Sequence, residues 1–200
     1  MAEKKKNLSE YDINAIPDAT DMSFAIIVSE WNSEITFALR DGALKTLEKH
    51  GVLPENIMVK YVPGSFELPM GAKFAAEKLG ADAVICIGCV IQGETRHFEF
   101  INNAVADGIT KVGLLTDVPI IYGVLTPDNM EQAKERAGGK HGNKGDEAAI
   151  TAIKMIALQW DVNHWLDDDG WDYDHDEDDL PFDDDDDYDD DENNNTHSLN

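Results

Sequence analysis

The chain has 200 residues and a net charge of −25, but 19 of its 41 acidic residues and none of its 16 basic ones lie from position 161 onward. The first 160 residues, with 22 acids against 16 bases, describe one mildly acidic domain without the basic surface that nucleic-acid binding needs. No signal-peptide core precedes residue 21 and no run reaches the ~18 apolar residues of a membrane helix, so we expect a cytoplasmic protein that binds neither nucleic acid nor membrane.

Short apolar runs alternate along the chain with segments of helical periodicity. The apolar runs predict strands, and the first is apolar throughout, as in strands covered on both faces. These strands are predicted at residues 24–28, 57–62, 83–91 and 118–125. The periodic segments predict helices that mostly end at a glycine. These helices are predicted from residue 33 to Gly51, at 68–79 before Gly80, at 97–111, from Pro127 (with Thr126 as N-cap) to Gly138 and Gly139, and at 146–165.

This alternation predicts an α/β fold, a three-layer sandwich with a four-stranded parallel sheet between helices. In such sheets ligands bind beyond the carboxyl ends of the strands. Three of the segments that follow the strands, 29–32, 63–67 and 92–97, combine aromatic, amide, carboxylate or glycine residues. We therefore expect the functional site at this edge of the sheet.

The chain divides into three regions by composition. Residues 1–21 form a polar N-terminal segment, and residues 22–165 form the folded domain. Residues 166–200 contain the aspartate runs of 167–192, whose charge density prevents the burial of enough apolar surface to fold. We expect this last region to be a disordered acidic tail.

The turn after the third predicted strand carries the most informative residues. Gly93, Glu94 and Thr95 offer backbone N–H groups and a hydroxyl at a helix N-terminus, which favours anions, although a plain turn capped by Thr95 also fits. His97 begins the helix, where the dipole favours a neutral imidazole that can relay protons; a structural or exposed histidine is the alternative. The glycine spacing matches no nucleotide-binding fingerprint, so we expect no nucleotide cofactor.

Two other turns offer groups that suit a flat heterocycle. Trp31 and Asn32 directly follow a strand, where a ring and an amide can stack on and hydrogen-bond a ligand, or cover and cap the next helix. Ser65, Phe66 and Glu67 bring a hydroxyl, an aromatic ring and a carboxylate into one tight turn. Both turns lie at the edge of the sheet predicted for the site.

Basic residues and cysteines allow two further inferences. Arg136 and Lys144 flank a glycine-rich connection, either as anchors for a phosphate or as charges that face solvent. Cys86 and Cys89 have C-x-x-C spacing, but three positions apart in a strand their side chains point to opposite faces. We therefore expect buried free thiols in a reducing compartment and no zinc or redox site.

Taken together, these segments resemble the lumazine synthase family over roughly residues 24–158, in the order and spacing of the family. The matching motifs are the strand leading to Trp31 and Asn32, residues 62–67, 88–97, 122–126, 131–138 and 142–145. The resemblance implies a flavodoxin-like fold and one step of riboflavin biosynthesis. In that step 5-amino-6-(D-ribitylamino)uracil condenses with 3,4-dihydroxy-2-butanone 4-phosphate to give 6,7-dimethyl-8-ribityllumazine, phosphate and water.

The resemblance also implies a role for each candidate residue. His97 would be the catalytic proton-transfer residue. The uracil ring and ribityl chain would be held by Trp31, Asn32, Ser65, Phe66, Glu67, Cys89, Val90, Ile91 and Tyr122. The phosphate would be bound by Glu94, Thr95, Arg136 and Lys144. Tyr122 and Arg136 would come from the neighbouring subunit, and no metal or cofactor is implied.

The family forms pentamers, and some members build shells of twelve pentamers. The resemblance therefore implies a homopentamer with shared sites, and the short glycine-rich connection is compatible with a 60-subunit shell; riboflavin synthase is a candidate partner. The acidic tail departs from the family pattern. Because enclosed tails would repel one another, we expect them on the outside, where they serve solubility or recruit a basic partner or divalent cations. The alternative function is a non-catalytic flavodoxin-like ligand-binding or storage shell.

Overall fold

The computed structural model describes residue 7 and residues 9–168, and its centre is one parallel sheet. The strands are β1 (Phe24–Ser29), β2 (Ile57–Val62), β3 (Ala83–Cys89) and β4 (Ile120–Leu125). Their order across the sheet is β2-β1-β3-β4, which places β1 and β3 at the centre. Every residue of these two strands is buried, which confirms the burial that the apolar run of the first strand predicts.

Helices cover both faces of the sheet. They are α1 (Ser33–Lys49), α2 (Leu68–Lys78), α3 (His97–Thr116), α4 (Met130–Glu135) and α5 (Lys144–Asp168). On one face, Ile26 of β1 belongs to a core with Leu39 of α1 and Ile153 of α5. On the other face, the next residue of β1, Ile27, belongs to a second core with α2 and with Val105 of α3. The predicted three-layer α/β sandwich is confirmed.

Several predicted boundaries of strands and helices are wrong. β3 ends at Cys89 rather than at residue 91, although the next residue, Val90, still donates its N–H to the Leu125 carbonyl at 2.9 Å. β4 begins at Ile120, after Pro119, which has no N–H to donate to a ladder. α3 runs on to Thr116 instead of residue 111, and its C-cap is Asp117 in the left-handed region at φ 53°.

The helix predicted to begin at Pro127 begins at Met130. Asn129 is its N-cap, because the Asn129 side chain accepts a hydrogen bond from the Gln132 N–H at 2.9 Å. Pro127 instead lies beside the chain that follows β3, and its carbonyl accepts from the Gln92 N–H at 3.0 Å. Proline is common at the first position of a helix, so Pro127 suggested that the helix begins there. The residue that caps the helix is instead Asn129, two positions later.

The glycine-rich connection forms a small antiparallel hairpin that the sequence pattern does not predict. Its strands are β5 (Ala137–Gly139) and β6 (Gly142–Asn143). Gly138 and Gly142 supply left-handed backbone at φ 109° and 78°. Asn143 anchors the hairpin to α1 by donating to the Ala38 carbonyl at 2.9 Å, and its side-chain oxygen accepts from the Gly145 N–H at 2.8 Å. This second bond explains why α5 begins at Lys144 rather than at residue 146.

Two further findings concern membrane-spanning helices and the start of the acidic tail. No helix among the described residues is long and apolar enough to cross a membrane. The proposed start of the acidic tail at residue 166 falls within α5, which extends to Asp168. The predicted disorder of the remaining tail concerns residues outside those that the structure describes.

The two cysteines are free and buried, and their side chains enter opposite cores, as predicted. Burial raises the pKa of both thiols, Cys86 and Cys89, to about 12. Because alkylation requires an accessible thiolate, we expect iodoacetamide at about pH 8 to modify neither cysteine in the folded protein. Mass spectrometry should detect adducts on both only after denaturation, and an adduct formed on the native protein would contradict this account.

Candidate active site

The carboxyl ends of β1, β2 and β3 meet at one cavity, as the rule for open parallel sheets predicts. Its volume is about 380 Å³. It is lined by Trp31, Asn32, Gly64, Ser65, Phe66, Cys89, Val90, Ile91, His97 and Ile101. Eight of these ten are predicted site residues that come from three separate segments of the chain. The fold therefore brings together the residues that sequence patterns singled out one segment at a time.

Trp31 and Phe66 leave aromatic surface open at this cavity. Trp31 is 71% exposed and Phe66 57% exposed, although large aromatic residues usually bury most of their surface. The large exposed fraction of Trp31 argues against the alternative, in which this ring covers the start of α1. Two uncovered rings on one cavity suit a ligand with a flat heterocycle.

Asn32 does not cap α1 through its side chain. It stands at the N-cap position in the left-handed region, at φ 58°, and makes no side-chain capping bond. Its Nδ2 instead donates to the Cys89 carbonyl at 2.9 Å. The amide therefore ties the end of β1 to the end of β3 and shapes the floor of the cavity.

This double role separates two substitutions of Asn32. Asn32→Gly and Asn32→Ala both remove the bond to Cys89, but only glycine accepts φ 58° without strain. We expect Asn32→Ala to lower the free energy of unfolding by about 1 kcal/mol more than Asn32→Gly does. Urea unfolding at a fixed protein concentration measures this difference. Equal stability of the two variants would show that the left-handed backbone imposes no strain here.

His97 occupies the first position of α3, next to an uncapped helix N-terminus. Its side chain is exposed and lines the cavity. The N-cap residue, Arg96, makes no side-chain capping bond, and the predicted cap by Thr95 is one long contact of 3.4 Å from the His97 N–H. Because the Glu99 N–H donates to the Arg96 carbonyl at 3.1 Å, the Phe98 N–H and the loosely held His97 N–H are the first-turn donors left for an anion. Glu94 and Thr95 are exposed in the turn that leads to His97.

Arg136 and Lys144 do not reach this cavity within one chain. They line a separate cavity of about 270 Å³ beyond the end of β4. Arg136 Nη1 donates to the Gln132 carbonyl at 3.0 Å, and Lys144 Nζ donates to Glu147 at 2.7 Å. Arg136 Nη1 also stands 4.0 Å from the Glu135 carboxylate, and among the described residues the other guanidinium donors have no hydrogen-bond partner.

Tyr122 and Glu67 also lie outside the lining of the His97 cavity. Tyr122 borders a third cavity, of about 370 Å³, together with Lys144. Burial raises the pKa of the Tyr122 hydroxyl, as expected for a half-buried phenol. Glu67 is exposed beside Phe66 in the 3-10 turn Ser65–Glu67. One subunit thus collects most of the residues predicted to hold the uracil, but it places Tyr122, Glu67 and the predicted basic anchors outside the cavity.

A larger cavity, of about 500 Å³, lies between α3 and α5 at the other end of β4. Its lining is largely apolar, with Leu114, Met155 and Leu158 among its residues, and Asp117 is its one titratable side chain. It offers no acid–base pair and no ring with a convergent polar group. The chemistry therefore favours the smaller cavity at His97.

Ile101 was missed from the sequence, and the steric reason for Gly88 became clear only in the structure. Ile101 lines the cavity one helical turn after His97, and the spacing of four residues would have indicated a shared face. Gly88 interrupts the apolar run of β3 for a steric reason, because a Cβ there would stand 2.7 Å from Ser65 Oγ. Glycine at this position lets the Ser65–Glu67 turn pack closely on the strand.

Comparison with known proteins agrees with this geometry. The sequence model described as 6,7-dimethyl-8-ribityllumazine synthase matches residues 21–159. The chain belongs to this lumazine synthase family. The resemblance drawn from its motifs is confirmed, and the residues after 159 lie outside the family match.

Relatives with the name 6,7-dimethyl-8-ribityllumazine synthase match almost over their whole length. The protein from Parabacteroides distasonis is 58% identical over 156 residues, which are 78% of this chain and 98% of the relative. The one from Cytophaga hutchinsonii is 60% identical over 157 residues, 78% of this chain and 98% of the relative. The one from Bacteroides fragilis is 57% identical over 142 residues, 71% of this chain and 99% of the relative. The lumazine synthase domain is thus covered from end to end.

Proposed function

We propose that this chain is a transferase of riboflavin biosynthesis that condenses 5-amino-6-(D-ribitylamino)uracil with 3,4-dihydroxy-2-butanone 4-phosphate at the His97 cavity. The products are 6,7-dimethyl-8-ribityllumazine, phosphate and water. Family membership supports the reaction. The assignment to this cavity rests on one observation. His97 lines the cavity together with the exposed rings of Trp31 and Phe66.

The cavity offers a distinct group for each part of the uracil substrate. Trp31 and Phe66 would enclose the pyrimidine ring, and the Ser65–Glu67 turn together with Asn32 would hold the ribityl chain. The N–H groups of Val90 and Gln92 already donate to the Leu125 and Pro127 carbonyls. The intervening Ile91 N–H is left to hydrogen-bond the pyrimidine.

The condensation requires protons to move at nitrogen and oxygen. The uracil amine attacks the ketone and loses water to form an imine, phosphate is eliminated, and the second amine closes the ring with loss of water. His97 would accept and return these protons, a role worth about 10²–10⁴-fold in rate. Holding the two substrates in register at the cavity would supply much of the remaining acceleration.

The phosphate would bind where two subunits meet. Glu94, Thr95 and the Phe98 N–H of α3 lie on the His97 side. The Arg136 guanidinium, with Lys144 and Tyr122, would come from the neighbouring subunit. The separation of these groups within one chain supports this division. Leu114 and Leu115, 77% and 80% exposed on α3, support assembly because a single subunit leaves them uncovered.

We propose a cytoplasmic homopentamer with these shared sites, built by the domain at residues 22–165. A shell of 60 subunits is the larger assembly proposed, with the acidic tails outside and riboflavin synthase as a candidate partner. The short β5–β6 hairpin supports this packing.

The proposed reaction is tested by incubating the protein with both substrates and following lumazine fluorescence and phosphate release together. We expect the two signals to rise in equal amounts and to depend on both substrates. Binding of the uracil without any product would contradict catalysis and would favour the alternative, a ligand-binding or storage shell.

A further inference from the structure

Among the described residues, the buried side-chain polar atoms that lack a hydrogen-bond partner belong to two residues. They are Ser65 Oγ and both polar atoms of the Asn102 amide, Nδ2 and Oδ1. Nearly all buried polar atoms in proteins are paired, because an unpaired one loses its hydration without replacement. Three unpaired atoms on two residues therefore indicate a missing partner.

The two residues lie on elements that pack together beside the cavity. The Ser65–Glu67 turn contacts α3, the helix that carries Asn102. Ser65 lines the cavity together with Ile101, the residue that precedes Asn102. Asn102 is three and seven residues from Val105 and Ile109, which are buried in the second core, so it lies on the inward stripe of α3.

Gly88 shows where the Ser65 hydroxyl points. A Cβ on Gly88 would lie 2.7 Å from Ser65 Oγ, 2.9 Å from Leu68 and 3.2 Å from Val124. Leu68 and Val124 belong to the same second core as Val105. The Ser65 hydroxyl therefore faces this core, and Asn102 lies on the stripe of α3 that packs against the same core.

We propose that Asn102 is a positioning residue of the active site, and that its amide and the Ser65 hydroxyl hold one ordered water molecule between the Ser65–Glu67 turn and α3. The amide offers a donor and an acceptor, the hydroxyl offers both, and water offers both, so the three groups are complementary. A buried water with such partners behaves as part of the structure.

This water bridge would fix the relative positions of two parts of the active site, and this inference rests on the proposed function. The turn carries Phe66 and Glu67, while the first turn of α3 carries His97. A link between them sets the position of the proton-transfer group relative to the residues that hold the uracil. Because a displacement of about 1 Å can cost up to about 10²-fold in rate, loss of the bridge should lower kcat.

The test is a cycle of Asn102→Leu, Ser65→Ala and the double variant, with kcat, KM and the urea midpoint measured at one protein concentration. We expect each single variant to lower kcat about 10-fold and to lower the midpoint, because the other polar group stays buried and unpaired. The double variant should regain most of the midpoint, since no unpaired group remains, while kcat stays low. Lys154→Ala, exposed on α5 and away from both elements, is the control and should change neither.

Two outcomes of the cycle overturn the proposal. If kcat recovers together with the midpoint in the double variant, Asn102 has only a structural role. If the two single effects simply add, the residues share no partner. Should Asn102→Leu fail to fold, Asn102→Ala takes its place in the same cycle with the same criteria.

A crystal structure of the full chain tests the bridge without substrate. We expect one density peak within hydrogen-bond distance of Ser65 Oγ and of the Asn102 amide, and an empty position would overturn the bridge. A wild-type protein that forms no lumazine would overturn the proposed function instead, and the density and the unfolding cycle would still decide whether the bridge exists.

Discussion

Replacement of His97 by alanine should lower kcat for lumazine formation about 10²–10⁴-fold and leave the fold intact. His97 lines the cavity and is exposed at the first position of α3, so its removal opens no space in either core. The rate falls because the amine and ketone must then exchange protons with water. Steady-state kinetics with both substrates at saturation measure the effect.

His164→Ala is the control for this substitution. His164 is exposed on α5 and lines none of the cavities at the strand ends, so its loss should leave kcat unchanged. Circular dichroism of both variants should match the parent protein. A His97→Ala variant with normal kcat would remove His97 from the mechanism.

Arg136→Ala should lower kcat/KM for dihydroxybutanone phosphate about 10- to 100-fold, the usual contribution of a charge-assisted hydrogen bond to a phosphate. The Arg136 side chain is held by the Gln132 carbonyl through one guanidinium nitrogen, and its other donors are available. Arg136→Lys should be intermediate, because lysine keeps the charge but cannot form a bidentate contact. The measurement varies the phosphate substrate at saturating uracil.

Lys154→Ala on the exposed face of α5 controls for a general loss of positive charge and should leave kcat/KM unchanged. If Arg136→Ala also leaves it unchanged, Arg136 does not bind the phosphate. If kcat/KM falls only for the uracil substrate, Arg136 belongs to the uracil subsite instead.

The architecture and the location of the site were predictable from sequence because both follow from repeated local patterns. The continuous apolar run of β1, and that of β3, which only Gly88 interrupts, predict burial on both faces. The parallel arrangement then places the ends of β1, β2 and β3 at one edge. Trp31, Phe66 and His97 could therefore be grouped without knowing any side-chain contact.

Other features depend on tertiary contacts that have no local signal. Asn32 could have been an ordinary helix cap, and only the proximity of β3 makes the Cys89 carbonyl its partner. The hairpin β5–β6 is too short to show a period of two, so the sequence pattern does not predict it. Asn102 became visible only when the packing of the Ser65–Glu67 turn on α3 left its amide without a partner.

The central claim is that one catalytic site uses the His97 cavity of one subunit and Arg136 of the next. It is tested by unfolding His97→Ala and Arg136→Ala together, refolding the mixture and measuring lumazine formation. In a mixed ring, about a quarter of the interfaces pair an intact His97 cavity with an intact Arg136, as random pairing at equal amounts gives. We predict that the mixture, assayed below saturation with dihydroxybutanone phosphate, regains about a quarter of the parent activity, whereas each variant refolded alone keeps only the residual activity expected above, at most about a tenth. A mixture no more active than its two components would contradict the shared site.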